Sequence, residues 1–140
     1  SLRLEKSYRM WGMDLTKEYS ILEAGLDRFV KIQKGQFTGR EALLLQRESG
    51  VPQEFITLEV DVDDADPMGN EPVFSGKEMI GRATSGCYGH SVGKSLALAY
   101  VESGTGSVGT ELELEILDKR YPARVIEESP CDPQNEKLRV

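Results

Sequence analysis

The period of the apolar positions changes at about residue 50. Before it, two stretches repeat at three- and four-residue spacings. After Ser20, Leu22, Leu26, Phe29 and Val30 fall on one helical face. Ser20-Ile21-Leu22-Glu23 supplies a capping box in front of it. Gly25 lies inside that helix and shortens or breaks it. A second box, Thr38-Gly39-Arg40-Glu41, starts a helix through Ala42, Leu43, Leu45 and Gln46 that stops at Gly50 and Pro52. Ahead of both, Ser1-Leu2-Arg3-Leu4-Glu5 alternates like a strand and runs into a turn over residues 8–15.

From residue 54 the period is two. Ile56, Leu58, Val60 and Val62 alternate with Thr57, Glu59 and Asp61, which predicts one buried face and one wet face. Val73-Phe74 and Met79-Ile80 flank Ser75-Gly76-Lys77 as a hairpin. Leu112, Leu114 and Ile116 alternate with three glutamates, a turn follows at Asp118-Lys119, and Tyr121 to Ile126 returns. Several short strands at this spacing predict a small barrel or sandwich.

One segment carries a motif that has to be decided. "GCYGHSVGKS", residues 86–95, ends like a phosphate-binding loop. Such a loop needs four residues between its glycines, and Gly89 and Gly93 enclose only three. The apolar run behind it, Leu96 to Val101, is short and ends in a glycine-rich break. That is the signature of a buried strand rather than a phosphate-facing helix. The segment is therefore expected to join two strands, with its glycines making the tight connection.

Composition narrows the classes. The chain of 140 residues has net charge −7, and its basic residues are scattered, which excludes binding through phosphate neutralisation. Two cysteines, Cys87 and Cys131, stand far apart, and His90 is the one histidine. No zinc or iron–sulfur spacing results, so no metal ligands are expected. No apolar run reaches the ~18 residues of a membrane helix. The expected partners are neither nucleic acid nor membrane. The abrupt start at a patterned element reads as a cut from something longer.

Four stretches in order, "SLRLEKSYRMWGMDL", "ILEAGLDRFVKIQKGQFTGREALL", "IGRATSGCYGHSVGKSLALAYV" and "YPARVIEESPCDPQNEKLR", resemble the glycine-cleavage T-protein (aminomethyltransferase) family. They are closer still to the C-terminal part of dimethylglycine and sarcosine dehydrogenases. The resemblance implies an α+β fragment: residues 1–50 as part of a folate-binding α/β subdomain, residues 51–140 as a small antiparallel β-barrel. It implies tetrahydrofolate as cofactor, with FAD held in the N-terminal part of the parent. The expected partners are the small-molecule folate and the remainder of the same polypeptide. The expected compartment is the bacterial cytoplasm or the mitochondrial matrix. No catalytic residue is carried over, because the family's catalytic half is absent, so the isolated chain is expected to be inert. A free-standing aminomethyltransferase and a non-catalytic regulatory subunit on the same scaffold are the alternatives.

The resemblance names Arg3 as a folate contact, with Glu5 beside it. A structural salt bridge is the plainer reading of that pair, since burying Arg and Glu together is costly without full hydrogen bonding. Arg28 replaces an aromatic residue that touches folate in relatives. It is expected to flank the apolar stripe and border the folate cavity, by stacking or by pairing with folate's acidic tail. Tyr8 and Trp11 could stack on a pterin ring, but core packing is the plainer reading; Asp14 could serve as an acid or base, but a turn cap is the plainer one; Cys87 and His90 read as packing or surface residues.

Overall fold

The computed structural model describes residues 1–139. Six strands form a closed antiparallel barrel in the order β1-β4-β3-β2-β5-β6. They are β1 (Gln53–Val60), β2 (Pro72–Ser75), β3 (Glu78–Gly89), β4 (Lys94–Glu102), β5 (Glu111–Ile116) and β6 (Lys119–Ile126). β1 closes the barrel on β6, with Thr57 opposite Ile126 and Val60 opposite Ala123. Alternation then does what a two-residue period requires. Ile56, Leu58 and Val60 of β1, Ala97, Ala99 and Val101 of β4, and Leu112, Leu114 and Ile116 of β5 fill the interior.

The segment that mimics a phosphate loop is a hairpin. β3 ends at Gly89, residues 90–93 turn, and β4 begins at Lys94. Of its three glycines only Gly93 has positive φ, +70°. Gly86 and Gly89 are required by space instead. A Cβ on Gly86 would stand 2.5 Å from the Pro67 carbonyl oxygen, and one on Gly89 would meet Val92 at 2.8 Å and Leu96 at 3.0 Å. The Thr84-Ser85-Gly86 run lies within β3, beside a bulge between Ala83 and Ser85.

Residues 1–50 contain no strand, and their first half packs on the outside of this barrel. α1 (Leu2–Glu5) is one turn of helix where a strand was expected. Alternation over only four residues does not separate the two periods. The amide of Glu5 reaches the Ser1 carbonyl, and Ser7, at φ +51°, ends the turn. Tyr8 N–H then bonds the Arg3 carbonyl and Ser7 N–H the Leu4 carbonyl, the paired bonds of a Schellman stop.

The helix expected after Ser20 is only a single turn. The Ser20 capping box forms in both directions, Glu23 N–H to Ser20 Oγ and Ser20 N–H to the Glu23 carboxylate. Gly25, at φ +63°, stops it immediately: its amide bonds the Leu22 carbonyl and that of Leu26 the Ile21 carbonyl. A Cβ at Gly25 would sit 3.1 Å from the Arg9 guanidinium. The chain continues as 3-10 turns at Asp27–Phe29 and Ile32–Lys34. Phe29, expected in a core stripe, is therefore 68% exposed.

α2 (Arg40–Ser49) forms where the second box predicts. Its N-cap is Gly39, in left-handed geometry with no side-chain cap, so Thr38 does not cap it. None of its residues is buried.

Candidate functional site

β4 is apolar on both faces because two cores share it. Ala97, Ala99 and Val101 point into the barrel, and Leu96, Leu98 and Tyr100 point out. The outward set packs with Leu4, Ala24 and Phe55. Residues 1–26 are thus seated on the outer face of β1, β3 and β4. Thr57 is correspondingly 1% exposed rather than wet, its hydroxyl 3.0 Å from that of Ser7.

Asp14 lies at the centre of this seam. Its carboxylate is fully buried and receives four donors: Arg3 Nη1 at 2.6 Å, Met10 N at 2.7 Å, Thr84 Oγ1 at 2.5 Å and Ser85 Oγ at 2.8 Å. Its carbonyl accepts the Tyr100 hydroxyl at 2.8 Å. Tyr100 is held flat under Tyr19, centroids 3.7 Å apart, with Phe55 against it edge-on. Burial pushes the Tyr100 phenol up, so it stays a donor. Asp14 is therefore more than the turn cap expected of it; it joins α1, the residue 10–15 turn, β3 and β4.

Arg3 is the expected site residue that the structure sets in place most firmly. Its guanidinium donates to Asp14, to the Tyr8 carbonyl at 2.8 Å and to Ser85 Oγ at 3.0 Å. Its partner is Asp14, not Glu5. The side chain keeps 27% of its surface open. The same segment exposes Leu2, Tyr8, Met10, Trp11 and Met13, with Trp11 at 74%. Tyr8 and Trp11 are thus surface aromatics, against the expectation of core packing. The reason is the turn itself: Gly12 N–H bonds the Leu15 carbonyl, which projects residues 10–13 from the barrel.

Glu5 points elsewhere, to the β3–β4 turn. It is 1% exposed, and one oxygen accepts the Ser91 amide at 2.7 Å while the other has no donor. The Ser91 N–H holds its carboxyl below the usual carboxylate range, with burial opposing. A depressed folded-state pKa stabilises the fold above the unfolded value and ceases to do so as pH falls through the folded one. The stability gap between wild type and Glu5→Gln is therefore expected to hold from about pH 7 down to the unfolded value of 4.5 and to shrink on further acidification toward about pH 3. Thermal unfolding of the two proteins across that range measures it; a gap independent of pH would contradict the assignment.

Arg28 lies in the first 3-10 turn, exposed, with its guanidinium 4.9 Å from the Phe29 ring centroid. The structure brings Arg3 and Glu5 onto the same hairpin and gives Arg28 no side-chain bond to either among the described residues. Sequence reasoning passed over Arg9. It is 5% exposed and donates to Glu128, Ser7 and Ala24 while lying over the Phe55 ring. It ties the first segment, the barrel and residue 128 together. Cys87 packs in the outer cluster and His90 sits edge-on to Tyr88, as packing and surface residues would. Among the described residues no group of acidic, His or Cys side chains could hold a metal, and no helix is long and apolar enough to cross a membrane.

Residues 53–132 match the profile of the glycine cleavage T-protein C-terminal barrel domain. The chain belongs to that family. Among its relatives is the mitochondrial dimethylglycine dehydrogenase of Rattus norvegicus, 44% identical over 91% of this chain and 15% of that protein. The aminomethyltransferase of Moorella thermoacetica is 42% identical over 90% of this chain and 34% of that protein. The crystal structure of the glycine cleavage system aminomethyltransferase T from Bartonella henselae superposes with a TM-score of 0.87 at 26% identity, covering 94% of this chain and 37% of that one. This T-protein-type barrel thus spans about a third or less of the proteins it resembles. The likeness reaches beyond the barrel to the segment wrapped around it.

Proposed function

We propose that this chain is the C-terminal tetrahydrofolate-binding region of a dimethylglycine or sarcosine dehydrogenase-like flavoenzyme. In that reading the parent demethylates an N-methylated glycine and passes the one-carbon unit to tetrahydrofolate. The observation that carries it is the Arg3 guanidinium, locked on Asp14 with 27% of its side chain still open, bonded to the Tyr8 carbonyl of a turn that exposes the aromatic rings of Tyr8 and Trp11. A fixed planar cation beside flat apolar surface suits a ligand that joins a heteroaromatic ring to carboxylates. Arg28, unpaired among the described residues, is the second proposed contact. Glu5 is closed over by the Ser91 amide, and we assign it to holding the β3–β4 turn. Bound folate would supply the amine that accepts the one-carbon unit; these residues would bind and orient it. FAD would belong to sequence outside this chain, and the exposed residues of α2 would face the remainder of the polypeptide. The parent would work in a bacterial cytoplasm or a mitochondrial matrix.

A bidentate charge-assisted contact to a carboxylate is worth about 1.5–3 kcal/mol. Arg28→Ala in the full-length enzyme is accordingly expected to weaken tetrahydrofolate binding by roughly 10- to 150-fold. The rate of flavin reduction is expected to stay unchanged. Calorimetry beside stopped-flow reduction measures both. Unchanged folate affinity would make Arg28 a surface charge, and no folate binding by the wild type would favour a regulatory subunit on this scaffold. The 42% identity to the Moorella protein supports a second reading, a free-standing aminomethyltransferase. The full-length reading frame separates the two, because only the flavoenzyme requires a dinucleotide-binding region upstream.

A further inference from the structure

We propose that Asp14 is the positioning residue of the folate contact: its buried carboxylate fixes both the Arg3 guanidinium and the turn that presents Trp11. This rests on the reading that Arg3 touches folate, and adds to it the residue through which Arg3 is held.

The geometry is specific. One carboxylate oxygen, Oδ2, receives both Arg3 Nη1 and the amide of Met10, the residue before Trp11. The cation and the aromatic turn are thus referred to a single atom. The other oxygen, Oδ1, is anchored on β3 through Thr84 and Ser85. Ser85 Oγ in turn accepts Arg3 Nη2 at 3.0 Å, which adds a second point of attachment and prevents the guanidinium from rotating about the first. Four donors fill the acceptor sites of an ionised carboxylate. A free arginine side chain would lose rotamer freedom on meeting its ligand; one already immobilised loses little, and affinity gains by that difference. Arg3 suits the task because it keeps surface open after all these bonds are made. Asp14, fully buried, touches no ligand itself.

The test uses the full-length protein and tetrahydrofolate, with affinity measured by calorimetry for Arg3→Ala, Asp14→Asn, Ser85→Ala and the Arg3→Ala/Asp14→Asn pair. Asp14→Asn keeps the shape and removes the charge. The expected loss for it is about tenfold, the equivalent of ~1.4 kcal/mol. Arg3→Ala is expected to lose at least as much. The pair is expected to be weaker than Arg3→Ala by less than the loss that Asp14→Asn shows alone, because much of that loss passes through Arg3 and the rest through the Met10 amide; independent effects would add in full. Guanidinium ion, kept well below denaturing concentrations, is expected to restore binding to Arg3→Ala and not to the pair, since the carboxylate that would hold it is gone. A purely structural role for Asp14 predicts no such selective rescue. If Arg3→Ala binds folate like wild type, the reading beneath the proposal falls, and the proposal with it. If Arg3→Ala is weak while Asp14→Asn and Ser85→Ala bind normally, the folate contact stands and the positioning role is overturned. Should Asp14→Asn not fold, Ser85→Ala decides: several-fold weaker binding supports the proposal, and full affinity overturns it.

Discussion

Gly81→Ala is expected to prevent the barrel from closing properly. Gly81 lies in β3 opposite Val101 of β4. A Cβ there would stand 2.1 Å from the Tyr100 carbonyl oxygen, 2.7 Å from the Val101 Cα and 2.9 Å from its Cγ1. Two of those atoms are backbone and cannot rotate away. They belong to β4, the strand whose two faces serve both cores. Forcing it outward disturbs the interior at Val101 and the outer seam at Tyr100 together. Overpacking usually costs about 1–3 kcal/mol, and a backbone clash at a barrel seam lies at or above the top of that range. In a domain of this size about 3 kcal/mol lowers Tm by roughly 10 °C. Gly104→Ala is the control. Its added Cβ would meet nothing within 4 Å, and only its φ of +89° opposes substitution. It is expected to cost about 1–2 kcal/mol. Thermal melts of both decide; a Gly81→Ala protein as stable as Gly104→Ala would show that β4 yields without penalty.

Arg9→Ala is expected to release the wrapped segment and residues 128–131 at the same time. The guanidinium pairs with both Glu128 oxygens, at 2.9 and 2.5 Å, and also bonds the carbonyls of Ser7 and Ala24. It covers the Phe55 ring at 4.2 Å from the centroid. Glu128 is 38% exposed, so solvent screens the ion pair and little of the loss comes from stranding that carboxylate. The larger part is the loss of two carbonyl bonds and of packing on Phe55. Together these amount to about 2–4 kcal/mol. The Ser129 amide, which bonds Ser7 Oγ, and the Cys131 amide, which bonds the Glu5 carbonyl, are expected to exchange hydrogen far faster in the variant. Barrel amides of β5 and β6 are expected to stay protected. Arg9→Met, which keeps the stem on Phe55, is expected to recover part of the stability. Equal protection at Ser129 in wild type and Arg9→Ala would refute the fastening role.

β1 and β5 were legible because each alternates over five residues or more between turn signals, and β4 because its short apolar run ends in a glycine-rich break. Ile56 to Val60, Leu112 to Ile116 and the run after Ser95 all appear where the pattern predicts them. The wrapped segment was harder. Its capping box at Ser20 and its stop at Gly25 are both visible in the chain, but they lie so close together that the helix between them is one turn. Reading an apolar stripe across that stop placed Phe29 in a core it does not reach. Arg28 still lies outside the core, although the helical argument that put it there does not apply.

The sequence by itself determined the barrel strands and the hairpin at Gly93-Lys94, because local alternation and turn chemistry act over a few residues. It also carried the family, through motifs spread along the whole chain. Only the tertiary structure decided who partners whom. That Arg3 meets Asp14 rather than Glu5, that Arg9 reaches Glu128, and that Gly81 and Gly86 are excluded volume rather than turns all depend on residues tens of positions apart. Such pairings arise when the barrel closes and the first segment is laid on its outer face, and no local period encodes them.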